Sequence, residues 1–136
     1  MTNQNLVLNT TPHALARELS GLLLIGGELR PAATGRTFDV VNPATGDVIA
    51  TAADGGERDV DAAVRAAVAA QGAWARLSAR ERGRLLVECG RRLVGHAEEI
   101  GRLLALETGK AIRTESRVEA SLVADTLTFY GGLASS

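Results

Sequence analysis

Cys89, His96, the pair Glu107 and Lys110, and two glycine pairs are the residues here whose types and spacing could do chemistry. Cys89 is the only thiol, and a thiolate beside an imidazole makes a nucleophile. His96 follows it by seven residues, about two helical turns, with Gly95 between them, so no short contact follows from the spacing. Cys89 also shares an apolar helix stripe with Leu85, Leu86 and Leu93, where a buried thiol is an inert small hydrophobe. His96 opens a helix beside Glu98 and Glu99 and reads as a solvated cap residue. Lys110 is the only lysine and stands in Glu107-Thr108-Gly109-Lys110, just past a helix end. A cation there suits the helix dipole, whereas Glu107 opposes it and calls for a compensating cation. Gly26-Gly27 and Gly55-Gly56 belong to no G-x-G-x-x-G or Walker pattern and read as turns.

The elements around these residues change character along the chain. Residues 1–20 read as a tail, with Pro12 blocking regular structure and 14–19 making at most one helical turn. Leu22–Ile25 is a short apolar strand ending at Gly26-Gly27, and 28–30 alternates before Pro31. Residues 37–41 and 47–51 are rich in β-branched residues. They flank Asn42-Pro43-Ala44-Thr45-Gly46, a turn in which Asn42 bonds its own backbone and Gly46 tolerates positive φ. Two strand pairs are therefore expected. From residue 57 the period becomes helical. Val60, Val64, Ala67 and Val68 mark one face, Asp59 and Asp61 sit in the first turn, and Trp74 follows the end. Ser78 and Glu81 form a capping box for the next helix. A third helix over 96–107 ends at Gly109, and a fourth over 111–130 stops at Gly131-Gly132. That last helix carries two apolar faces, Val118, Leu122 and Phe129 against Val123, Leu127 and Tyr130, and wants cover on both.

Composition narrows the classes. The 136 residues hold 15 basic and 16 acidic side chains, a net charge of −1, which excludes a generic nucleic-acid binder. Hydrophobic residues make up 46%, enough for a core, but aromatic residues only 3%. One cysteine excludes a disulfide framework, and His13 and His96 alone do not build a structural zinc site. No apolar run spans a bilayer, and residues 1–12 carry no secretory pattern, so a cytoplasmic protein without membrane partners is expected. Fourteen arginines to one lysine, with abundant Ala and Gly, point to a GC-rich bacterial gene.

Several segments then fall into one order: 24–28, the strand-turn-strand 38–50, the helix opening 59–64, Trp74, Arg80-Glu81-Arg82, Leu106-Glu107-Thr108-Gly109-Lys110, and Phe129-Tyr130-Gly131-Gly132-Leu133. In that order they resemble the N-terminal part of the aldehyde dehydrogenase superfamily, over residues 22–136. The resemblance implies an α+β fragment: an N-terminal β-hairpin region plus about four helices, like the N-terminal portion of that family's cofactor-binding domain. The implied units are a tail over 1–20 and a partial aldehyde dehydrogenase-like region over 21–136.

The resemblance implies oxidation of an aldehyde to a carboxylic acid with NAD or NADP. It equally implies that the nucleophilic cysteine, the general base and the dinucleotide site lie outside these residues. Cys89 lacks the nucleophile's surroundings, so no catalytic or cofactor-binding residue is assigned, and no cofactor is expected to bind the chain itself. Val118 and Leu122 match positions on the wall of the aldehyde tunnel, and that apolar pair suits an apolar or bulky aldehyde. The Val41 carbonyl and Glu107 match a monovalent cation site. The partners expected are a second copy of the chain or a full-length relative. The rival from another class is a stand-alone helical interaction or assembly module, which should close its core where a fragment should leave the last helix exposed.

Overall fold

The computed structural model describes residues 11–134. Helix α1, Pro12–Glu18, comes first. Strands β1 (Leu22–Ile25) and β2 (Glu28–Pro31) form one antiparallel pair, and β3 (Thr37–Val41) and β4 (Val48–Ala53) a second. Helices α2 (Glu57–Arg76), α3 (Ala79–Val94) and α4 (Ala97–Thr108) follow. A π-helical turn, Ile112–Ser116, leads directly into α5, Arg117–Leu133.

The turns form for the reasons their residues suggest. Gly26 and Gly27 both take positive φ, +65° and +85°, which a two-residue hairpin loop with the right twist requires. In the second hairpin the Asn42 side-chain oxygen accepts the Ala44 N–H at 2.9 Å, and Gly46 closes the turn at φ +77°. Ser78 Oγ accepts the Glu81 N–H at 3.2 Å while the Glu81 carboxylate accepts the Ser78 N–H at 2.9 Å, the reciprocal cap of α3.

Four readings are corrected. Residues 1–10 of the expected tail lie outside the described residues, but Pro12–Glu18 is helical, since proline at the first helical position needs no N–H partner and Thr11 caps the turn. Leu15 and Ala16 of that helix are buried. Trp74 lies inside α2 rather than after it. Gly131-Gly132 does not stop α5, which runs through to Leu133 because Gly131 is the contact point with α3. Cys89 is exposed. Helix α3 meets α5 through Gly83 and Gly90, with Leu86 and Leu93 half-buried, while Leu85 and the thiol lie off the packed face.

That seam is close. A Cβ on Gly83 would stand 2.4 Å from the Gly131 carbonyl oxygen, and one on Gly90 would stand 2.7 Å from the Ala124 carbonyl oxygen. Elsewhere little is covered. Among the described residues the buried apolar set is Leu15, Ala16, Ala32, Ile49, Ala120 and Ala124, mostly alanine, while Val60, Val64, Val68, Val118, Leu122, Val123, Phe129 and Tyr130 are all more than half exposed. The hydrophobic pattern is therefore written for surfaces that this chain does not itself cover.

Candidate functional site

Of the expected site residues, Glu107 stands near the end of α4, Val118 and Leu122 on α5, and Val41 on β3. Helix α4 ends at Gly109, whose φ of +72° turns the chain back. The turn lays Gly109 against the Asn-Pro loop: a Cβ there would meet Pro43 Cγ at 2.8 Å. The two most characteristic sequence segments are thus in contact. Glu107 lines a cavity of about 160 Å³ together with Val40, Ile49 and Leu103. Val41 is one residue farther along the same strand and more than a third exposed. Among the described residues no cluster of three or more His, Cys, Asp or Glu could hold a metal.

Beyond Gly109, Lys110 Nζ donates to Glu119 Oε1 at 2.6 Å and ties the connection to α5. The carboxylate of Glu119 holds the lysine's pKa above its ordinary value. The π turn is closed by Ser116 N–H on the Ala111 carbonyl at 3.2 Å, and the Ser116 hydroxyl is fully buried with no hydrogen-bond partner among the described residues. The turn ends where α4 and α5 touch, with a Cβ on Gly101 only 3.2 Å from Arg117 Cα. Arg117 then grips Glu98 through both guanidinium nitrogens, at 2.6 and 2.7 Å, and Arg102 adds a third contact at 2.8 Å. These hydrogen bonds, Arg117 first, pull the Glu98 carboxyl down to about 2.

Helix α5 is therefore fixed in position by α3 and α4 and bears its other faces outward. Val118 and Leu122 sit on one outward face, each 58% exposed, in an open depression of about 310 Å³ shared with Arg117, Ser121 and Asp125. Leu122 also borders a second apolar depression with Glu119, Val123, Thr126 and Leu127. The structure brings Glu107 near the strand that carries Val41, and it brings Val118 and Leu122 together, but the two pairs lie on different parts of the molecule.

Asp59 was legible only as a helix-dipole residue. It is 3% exposed and accepts the N–H of Gly56 at 3.0 Å and of Ala33 at 2.9 Å, joining the β2–β3 loop to α2. Those N–H groups, Gly56 first, lower its pKa. The signal available was an acid three residues past a Gly-Gly break.

Comparison with known proteins decides what this arrangement is. The model of the aldehyde dehydrogenase family matches residues 30–136. The chain belongs to the aldehyde dehydrogenase family.

Solved aldehyde dehydrogenase-like structures share the fold. HpcC from Thermus thermophilus is 35% identical with a TM-score of 0.86, over 91% of this chain and 24% of that one. PnpE, solved with nicotinamide adenine dinucleotide, is 39% identical with a TM-score of 0.81, over 86% and 24%. Betaine aldehyde dehydrogenase from Staphylococcus aureus, solved with NAD+, is 30% identical with a TM-score of 0.84, over 92% and 25%. This aldehyde dehydrogenase chain spans about a quarter of the length of the proteins it matches.

PnpE and the betaine aldehyde dehydrogenase were solved with the dinucleotide, and the strand-to-helix glycine turn of this chain does not fit its phosphates. That turn is Gly55-Gly56, at the start of α2. Its Gly56 N–H is taken by the buried Asp59 carboxylate, and Glu57 adds a second acid to the same turn. A helix start occupied by its own anion repels a pyrophosphate. No helix among the described residues is long and apolar enough to cross a membrane.

Proposed function

We propose that this chain serves as the N-terminal framework of an NAD- or NADP-dependent enzyme that oxidises aldehydes to carboxylic acids, in the cytoplasm of a bacterium. In this reading Val118 and Leu122 form part of the wall along which the aldehyde passes. The Val41 carbonyl and Glu107 lie beside a monovalent cation, which would neutralise a carboxylate set against the C-terminal end of α4. Nucleophile, base and dinucleotide site come from polypeptide outside these 136 residues. The chain's own work is to hold α5 in place through the α3 seam, the Glu98–Arg117 bridge and the Lys110–Glu119 pair.

The observation that carries this reading is the uncovered state of α2 and α5 in a chain that spans a quarter of its relatives. An independent module would bury those faces, since each open Val, Leu or Phe forgoes about 1.5–3 kcal/mol of burial. The partner expected on them is the remainder of an aldehyde dehydrogenase polypeptide. The purified chain, incubated with NAD⁺ and a panel of aldehydes, is expected to form no NADH. Turnover lost on Cys89→Ser would overturn the framework role and make Cys89 a nucleophile. A monomer at micromolar concentration with a sharp, high-temperature unfolding transition would favour the independent module.

A further inference from the structure

Lys110 is the only lysine among 15 basic side chains, the rest being arginine. A GC-rich gene accounts for the arginines, but not for where the one lysine stands. Its Nζ donates to Glu119 Oε1 at 2.6 Å. Glu115 adds a second negative charge nearby, and the Glu119 hydrogen bond, ahead of that charge, holds the ammonium's pKa above its ordinary value. The side chain is nevertheless 39% exposed, so a small solute reaches it. Every other basic side chain counted here is a guanidinium, which stays charged and does not condense with a simple monoaldehyde. An amine does so once it loses its proton. Lys110 is thus the one side-chain primary amine that the chain offers to a carbonyl compound.

Resting on the reading of the chain as part of an aldehyde-oxidising enzyme, we propose that Lys110 is a latent site of aldehyde modification and that Glu119 keeps it closed. The step is a condensation. Nζ first gives a proton to solvent, and its lone pair then adds to the carbonyl carbon. The carbinolamine loses water, and a C=N bond replaces the C=O bond. No oxidant or reductant takes part. Each stage works against the tie to Glu119. The lone pair is free only after the ammonium has lost a proton, and the neutral imine has no N–H to donate back. The carboxylate therefore stabilises the unreactive ammonium and nothing downstream of it. By the same linkage, an imine at Lys110 unfastens the connection between α4 and α5. Both side chains are partly exposed, 39% and 45%, so the protection is modest, about two- to five-fold in rate.

The test treats the 136-residue chain with propanal and cyanoborohydride at neutral pH, so that any imine is reduced to a stable amine. Peptide mass spectrometry then reads the adduct at Lys110. The reference amine is supplied by Arg76→Lys, at an exposed position in the last turn of α2 with no ion pair among the described residues. An adduct on the exposed Cys89 is a hemithioacetal, which the reagent does not fix. Lys110 is expected to be labelled about two- to five-fold more slowly than the reference amine. Glu119→Gln should bring the two rates together, and so should denaturant, in which the tie is gone. Equal rates in the unaltered chain, or a Lys110 still slow in Glu119→Gln, would overturn the proposal. If that variant does not fold, the denaturant arm takes its place, and a ratio that denaturant leaves unchanged would overturn the proposal. The labelling requires no turnover, whereas the framework reading is judged by NADH formation, so the failure of one is told apart from the failure of the other.

Discussion

Helices α3 and α2 differ in what they ask of their surroundings. Helix α3 meets α5 backbone to backbone, with glycine opposite glycine at Gly83 and Gly131. Helix α2 is longer, twenty residues, yet touches the rest of the chain only lightly and leaves Val60, Val64 and Val68 more than half exposed. One helix face is covered within this chain, and the other is left open. A contact made by small residues is settled within the chain, whereas an amphipathic valine stripe gains its stability only where another surface covers it.

The largest expected effect breaks the complete side. Gly83→Ala puts a methyl 2.4 Å from the Gly131 carbonyl oxygen, and Gly131→Ala puts one 2.8 Å from both the Gly83 carbonyl oxygen and Val87 Cγ2. In a free helix either change would gain about 0.5–1 kcal/mol. Here the obstacle is backbone that cannot swing away, so each should cost about 1–3 kcal/mol. Chemical denaturation of the chain measures it. A neutral or stabilising result would mean that α3 and α5 are not seated as described.

The matching change on α2 should go the other way. A Cβ on Gly72 meets only the far end of Arg76, at 3.6 Å. Gly72→Ala should therefore stabilise the chain by about 0.5–1 kcal/mol. The opposite signs of two Gly→Ala changes in neighbouring helices are the sharpest form of the contrast.

A smaller effect is expected from the stripe itself. Val64→Lys should alter the stability of the isolated chain by less than about 0.5 kcal/mol, as exposed changes do. The same change should weaken self-association seen by sedimentation. A loss of several kcal/mol would show that α2 is packed after all.

What the sequence disclosed follows the same division. The two hairpins, the Ser78–Glu81 cap and the Gly109 stop were legible because each is settled by residues within a few positions. The packed face of α3 was not. Periodicity pointed to Leu85, Leu86, Cys89 and Leu93, but the fully buried positions are Gly83 and Gly90, because close backbone approach needs the absence of a side chain, and only Leu86 and Leu93 of the stripe are even half-buried. The exposed Cys89 follows from that, and it should be alkylated at similar rates in native and denatured chain. At the site, Val118 and Leu122 could be grouped from helical spacing. The pairing of Arg117 with Glu98, nineteen residues away, had no local signal.

The smallest effect concerns that pairing. The Arg117 and Arg102 hydrogen bonds lower the Glu98 carboxyl from 4.5 to about 2 in the folded chain. A depressed carboxylate stabilises the fold fully above its unfolded value and loses that contribution as pH falls through the folded one. The bridge between α4 and α5 should therefore be intact at neutral pH and fade between about 4.5 and 2. Both side chains are close to half exposed, 43% and 46%, so salt and water screen the pair and the effect is modest. Glu98→Gln should lower the Tm slightly at pH 7, and the gap from the unaltered chain should close as pH approaches 2. Glu88 is lowered to the same value by Arg91 and Arg92 but joins residues within α3 alone. Glu88→Gln should show the same pH trend without affecting the α4–α5 contact, so only Glu98→Gln should loosen the amide protection of the π turn in hydrogen exchange. Equal protection in the two variants would mean that the bridge does not hold α5, and that the Ala111–Ser116 backbone bond and the Gly101 contact suffice to place it.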